Sequence, residues 1–223
     1  MATTYWDDTF TGSALDIDDA SYSSDTPGDN YTIQSNGDSV TWGRNGSGVL
    51  VAGSAVTNAK LLATGDTAAG TADSRTYLQI ATVQSSAQRV GVGLGWLTGG
   101  NGYCAICNGS GTYRLYRLDS DAVTELDIAD VTIADGDTIS ISRSGTTIEY
   151  YHNGTSVGSY VDDPLTHSGA GFPFIIAGGY PSATHDFNTT WALTRFWAED
   201  ESGGAGGMVF PPKGRSFQHM IVR

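Results

Sequence analysis

Between Asp135 and Tyr160 the sequence reads DGDTISISRSGTTIEYYHNGTSVGSY, with apolar and polar residues alternating in three short runs, Thr138–Arg143, Thr146–Tyr151 and Ser156–Tyr160. Alternation with period two puts every second side chain on one dry face of a strand. Ser144-Gly145 and Asn153-Gly154 separate the runs, and Asn-Gly supplies the two positive φ angles of a tight hairpin turn. Three antiparallel strands in series make a meander, which needs a second sheet to cover its apolar face. The segment therefore commits the chain to layered sheets.

The rest of the chain agrees. Strand-like runs separated by turn residues recur at Tyr5–Phe10, Tyr31–Gln34, Ser39–Trp42, Gly48–Ala52, Lys60–Thr64, Arg75–Val83, Arg89–Leu97, Gly102–Cys107, Thr112–Leu118, Thr124–Ile128, Phe172–Ala177 and Thr190–Ala198. Many short strands at this spacing predict a sandwich or jelly roll. Thirty glycines among 223 residues, with only 16% charged residues, suit many turns and argue against a helical fold. That length accommodates one large all-β domain. In Val90–Trp96, Gly91, Gly93 and Gly95 alternate with larger residues. They are expected to leave one strand face flat, open to close approach by another backbone or a ligand.

Acids outnumber bases 24 to 11, a net charge of −13. A phosphate backbone or an anionic membrane is gripped by Lys and Arg, so neither is expected as a partner. The opening Met1-Ala2-Thr3-Thr4 leads directly into a strand-like run. No signal peptide or membrane span is read, and synthesis in the cytoplasm is expected. The two cysteines, Cys104 and Cys107, stand three apart on an expected strand. They should face opposite ways, too badly placed for a disulfide and too few for zinc.

Three sets of residues could carry chemistry. Glu125 and Asp127 should share a strand face, and a bulge could add Asp130. Retaining glycoside hydrolysis needs two carboxyls about 5–5.5 Å apart. Asp16-Ile17-Asp18-Asp19, Asp119-Ser120-Asp121 and Asp135-Gly136-Asp137 offer hard oxygens suited to Ca²⁺, though none has the spacing of a calcium loop. Asp135-Gly136-Asp137 is more simply a turn. Carbohydrate contacts call for aromatics with Asn and Asp in loops. Tyr150, Tyr151 and Asn153, and Tyr180, His185, Asp186 and Asn188, are the candidates.

Composition changes after Trp197. Residues 199–207 form a Gly-rich linker, and residues 208–223 carry Lys213, Arg215 and Arg223 with no acid, leaving −16 on residues 1–207. Phe210, Phe217, Met220 and Ile221 make the last segment too apolar for an ordinary solvated tail. Pro211-Pro212 would hold its entry extended. It is expected to be a docking arm.

Several motifs carry a family resemblance over about residues 4–198: Trp6-Asp7-Asp8-Thr9-Phe10-Thr11-Gly12, Ala134-Asp135-Gly136-Asp137, Gly145–Gly154, Gly169-Ala170-Gly171-Phe172 and Trp191–Trp197. Here the chain resembles the concanavalin A-like lectin/glucanase superfamily, especially its laminin-G-like modules. The resemblance implies a jelly roll of two antiparallel sheets over residues 1–198. Glu125-x-Asp127-x-x-Asp130 is similar to the glucanase signature E-x-D-x-x-E, with Asp130 in place of the acid/base Glu. The shorter Asp retracts the proton donor, so a non-enzyme is expected. In style the chain resembles bacteriophage virion proteins of this type. The leading expectation is a structural or decoration protein of a phage particle, on capsid or tail, whose arm contacts other virion proteins or copies of itself. The alternative is a carbohydrate-binding module for host-surface glycans, with hydrolysis by Glu125 and Asp127 third.

Overall fold

Every described element is a strand. The computed structural model describes residues 2–11, 15–16, 31–35, 42–44, 47, 49–52, 56–57, 61–65, 69–83, 89–97, 100–108, 111–120, 122–163, 167–177, 186–187 and 192–200. The strands are β1 Thr3–Asp8, β2 Leu15–Asp16, β3 Tyr31–Ser35, β4 Trp42–Arg44, β5 Leu50–Ala52, β6 Val56–Thr57, β7 Leu61–Gly65, β8 Ser74–Thr82 and β9 Arg89–Leu97. They continue as β10 Asn101–Asn108, β11 Thr112–Asp119, β12 Ala122–Asp130, β13 Thr138–Ser144, β14 Thr147–His152, β15 Thr155–Val161, β16 Phe172–Ala177, β17 Asp186–Phe187 and β18 Ala192–Asp200. A nine-stranded sheet runs β15-β14-β13-β8-β18-β5-β4-β2, with β1 also on β18. A seven-stranded sheet runs β12-β11-β10-β9-β16-β7-β3, and β6 pairs with β17. The ladders are antiparallel, so this is a jelly-roll sandwich.

The meander forms as its alternation requires. Ile139 and Ile141 of β13 and Ile148 and Tyr150 of β14 are fully buried between the sheets. Asn153 at φ 49° and Gly154 at φ 79° make the tight turn into β15. Leu78, Ile80, Phe196 and Trp6 extend this inner face, and Val90, Val92, Leu94, Tyr103, Ala105, Tyr113, Leu115 and Ile175 answer from the seven-stranded sheet. Full burial of each large apolar side chain stabilises the fold by roughly 1.5–3 kcal/mol.

The other face of the seven-stranded sheet is dry as well. Trp96, Cys104, Ile106, Tyr116, Leu118, Phe174 and Ile176 form a second buried cluster there. The glycine run of β9 is filled from within: a Cβ on Gly93 would lie 2.0 Å from Cζ of Phe174. Gly95, at φ 68°, is part of a bulge against β10 that turns Trp96 onto this second cluster. Cys104 lies in the second cluster and Cys107 in the main core, both as free thiols on opposite faces. Burial pushes the Cys107 thiol up to about 12.

Inward alternation on β13 continues one step past Ile141 and puts Arg143 at the end of the core, 1% exposed. Its Nε donates to the Ala72 carbonyl, Nη1 to His167 (2.7 Å) and Nη2 to Gly169 (2.8 Å). Burial pulls its pKa below the ordinary guanidinium value, but arginine stays charged at neutral pH. Beside it, Asp162 accepts hydrogen bonds from Tyr103 and Arg117, and Asp119 binds Arg117 and His167. β18 runs to Asp200, slightly past the boundary read from composition, and the Asp200 carboxylate accepts from the Gly70 and Thr71 amides. Arg143→Met is predicted to lower unfolding free energy by about 2–4 kcal/mol, because three carbonyls lose their donor while a buried charge is relieved. Urea denaturation monitored by tryptophan fluorescence checks this.

Candidate functional site

Glu125, Asp127 and Tyr150 lie along one side of the sandwich, where β12 and β15, edge strands of the two sheets, run along opposite lips of the core. A bulge in β12 decides the chemistry. Leu115 pairs with Asp127 but Tyr116 pairs with Glu125, so Leu126 is an extra residue. Tyr116 belongs to the outer cluster and Leu115 to the core. Paired residues share a face, so Glu125 points outward and Asp127 inward. The expectation that they share a face is corrected: the inserted residue flips the parity on which it rested.

Each carboxylate has its own partner. Glu125 forms an ion pair with Arg114, and that hydrogen bond raises the pKa of Arg114 despite an opposing effect of burial. Asp127 accepts from the Tyr150 hydroxyl at 3.3 Å and from the Ile128 amide at 2.9 Å. Asp130 pairs with Thr112 on the outer face, so it too is separated from Asp127. On the opposite lip, a Cβ on Gly158 would meet the Asp127 carboxylate at 2.3 Å and the Tyr150 hydroxyl at 2.7 Å. Asp127 therefore closes the gap between the sheet edges.

Tyr150 is fully buried, its ring edge-on to Tyr113 at 5.0 Å, and so offers no surface to a sugar. Burial first, then Asp127, raises its phenol pKa well above normal. This corrects its reading as a glycan contact: of two adjacent strand aromatics, this is the one whose parity matches Ile148. Tyr151 faces outward but is half-buried in a row across the nine-stranded sheet. The Arg75 guanidinium lies 3.7 Å from the Tyr151 ring centroid and 4.9 Å from that of Tyr77. Tyr77 stacks on Trp197 at 4.6 Å, and Arg195 lies 4.5 Å from the Trp197 ring while gripping both carboxylate oxygens of Asp7 at 2.8 Å. Ser140 of β13, opposite both Tyr151 and Tyr77, leaves the gap that Arg75 fills. Burial and the Glu149 carboxylate push the Tyr151 phenol up to about 12. Sequence reading missed this ladder, although Tyr77 and Trp197 sit at outward positions of long strands.

Asn153 is a turn residue. Its carbonyl oxygen accepts from the Thr138 amide and its amide nitrogen donates to Asp137. Asp137 also bonds His152 at 2.7 Å and accepts from the Ala134 amide. Asp135 accepts from the Val83 amide. The turn reading of Asp135-Gly136-Asp137 therefore holds, and among the described residues no group of three or more His, Cys, Asp or Glu is placed to hold a metal. Tyr180, His185 and Asn188 lie outside the described residues, as does the Asp186 side chain beyond its backbone in β17. The arm residues Phe210, Pro211, Pro212, Lys213, Arg215, Phe217, Met220, Ile221 and Arg223 lie outside them too.

No protein-family model and no curated protein matches the chain. Solved structures do. LamA from Z. galactanivorans, solved with laminaritriose and laminaritetraose, aligns at TM-score 0.59 and 13% identity over 89% of this chain and 99% of that one. A glycosyl hydrolase family 16 protein from Mycobacterium smegmatis aligns at TM-score 0.56 and 12% identity, over 88% and 100%. The carbohydrate-binding module CBM66 from Bacillus subtilis aligns at TM-score 0.50 and 12% identity, over 84% and 97%. The class is thus the concanavalin A-like jelly roll, a fold shared by glucanases and carbohydrate-binding modules. At these identities the likeness is one of fold.

Burial pushes the Asp137 carboxyl up, but hydrogen bonds from Asn153, His152 and Ala134 outweigh it and hold it below the usual carboxylate range. A depressed folded value gives stability that is full above the unfolded value of about 3.9 and is lost as pH falls through the folded one. Asp137→Asn is predicted to cost about 1–2 kcal/mol at pH 7. In urea titrations across pH, the gap from wild type should hold down to about pH 5 and narrow below about pH 4.

Proposed function

We propose that this chain is a non-hydrolytic jelly-roll module that recognises carbohydrate. The separation of Glu125 and Asp127 onto two faces of β12, each held by its own partner, carries the reading. Glycoside hydrolysis by this pair would need both carboxyls on one substrate. Support for glycan as the ligand class comes from the shared fold with the CBM66 module and with LamA in complex with its oligosaccharides. The setting we propose is the surface of a bacteriophage particle, on capsid or tail. That part rests on sequence style alone: a Gly- and Asp-rich chain with two cysteines too badly placed to pair.

Affinity electrophoresis against a panel of β-glucans and bacterial surface polysaccharides, paired with a reducing-sugar assay, tests the reading. Retarded migration without release of reducing ends is expected, unchanged in Glu125→Gln. Release of reducing ends that disappears in Glu125→Gln would establish a hydrolase, and absence of retardation across the panel would remove glycan as the ligand. Mass spectrometry of purified particles tests the setting: the chain should co-purify with them.

A further inference from the structure

We propose that the arm 208–223 of one copy docks in extended form along the β12 edge of a second copy. Among the described residues no strand pairs with the outer side of β12, so this nine-residue strand is a sheet edge with main-chain groups to offer. Its outward face is set by the register: Val123 opposite Leu118, Glu125 opposite Tyr116, Ile128 opposite Arg114 and Asp130 opposite Thr112. Two acids and two apolar residues thus line one face, and the strand itself carries three acids and no base. Ile128 is 47% exposed, one of two large apolar side chains so exposed among the described residues.

The arm has the matching pattern. In an extended segment alternate residues share a face, which groups Lys213, Arg215, Phe217, His219, Ile221 and Arg223. All three cations then stand beside Phe217 and Ile221, facing the same way. Laid beside β12, the cations meet Glu125 and Asp130 while the apolar pair covers Ile128 and Val123. Strand addition supplies main-chain hydrogen bonds, and the alternating side chains supply register. Glu125 shares its charge with Arg114, and Asp130, five residues along on the same face, adds a second carboxylate.

Reach selects a second copy. From β18 to β15 there are four strand steps, roughly 19 Å, and crossing to the other sheet adds about 10 Å. Residues 201–207, which join β18 to the arm, have a root-mean-square span of about 13–16 Å if flexible and reach at most about 23–25 Å. That falls short of the path around the chain's own sandwich to β12, whereas a neighbour's β12 imposes no such limit. Reciprocal exchange of arms would close a dimer.

The test uses full-length chains in sedimentation-velocity runs over a micromolar range, with circular dichroism to confirm folding. Wild type should self-associate. An edge variant, Glu125→Lys with Asp130→Lys, and an arm variant, Lys213→Glu with Arg215→Glu, should each weaken association at least ten-fold. Mixing the two should restore it, because the acidic arm of one meets the basic edge of the other. A monomeric wild type, variants that associate as wild type does, or a mixture that stays monomeric would each overturn the proposal.

Discussion

A buried cation with no carboxylate partner among the described residues is the constraint around which one end of this sandwich is organised. Arg143 sits where inward alternation on β13 would place another Ile. Removing a guanidinium from water is expensive unless its donors are satisfied. Three carbonyls from two separate segments, Ala72 before β8 and His167 and Gly169 before β16, satisfy them. Those segments are also bonded to each other, through the Ala69 amide and the Gly171 carbonyl. The Arg143 guanidinium thereby ties the nine-stranded sheet to the chain entering the seven-stranded one. Tyr103 and His167, edge-on at 5.7 Å, continue the same seal.

The open side is closed by a different device. β12 and β15 each carry a bulge, at Leu126 and Val157, and both extra residues pack on the main core. A bulge adds a side chain without lengthening the ladder and bends the strand locally. Placed on facing edges, the two bulges fold apolar side chains across the gap between the sheets. Asp127 sits between them, bonded to Tyr150 and lying where a Gly158 side chain would go. Asp127, one member of what resembles a catalytic signature in the linear sequence, is here the fastening of two sheet edges.

How much of this was legible in the sequence depended on whether the controlling feature was local. The meander strands, the Asn153-Gly154 turn and the opposite faces of Cys104 and Cys107 follow from period-two alternation, which needs no knowledge of neighbouring strands. Parity stayed readable only until an extra residue intervened. Nothing in Thr124-Glu125-Leu126-Asp127 announces a bulge, since its cause is the demand of the core for Leu126. Pairwise alternation also shows that one of Tyr150 and Tyr151 must be buried, and the continuing run from Ile148 identifies Tyr150. The ladder was beyond reach because Asp7 and Trp197, or Tyr77 and Trp197, become neighbours only through long-range strand pairing. The glycine-flattened face of β9 was readable as a place of close approach, but its occupant, Phe174, comes from β16.

That occupant bears on where recognition can occur. A concave sheet face binds a sugar through rings left open to stack, yet Trp96, Tyr116 and Phe174 are at most 4% exposed. On the nine-stranded sheet, Tyr77 has one face on Trp197 and the other toward Arg75, and Trp197 is taken by Tyr77 and Arg195. Rings committed on both faces stiffen a sheet but have none to give a pyranose. The middles of both sheets are therefore structural in their described parts, which leaves the edges and connections for the glycan recognition proposed above. Such a division suits a module whose scaffold stays fixed while its periphery varies. It also explains why a likeness to glucanases and a binding module at 11–13% identity preserves the sandwich: the sheets are held by packing rules that many sequences satisfy.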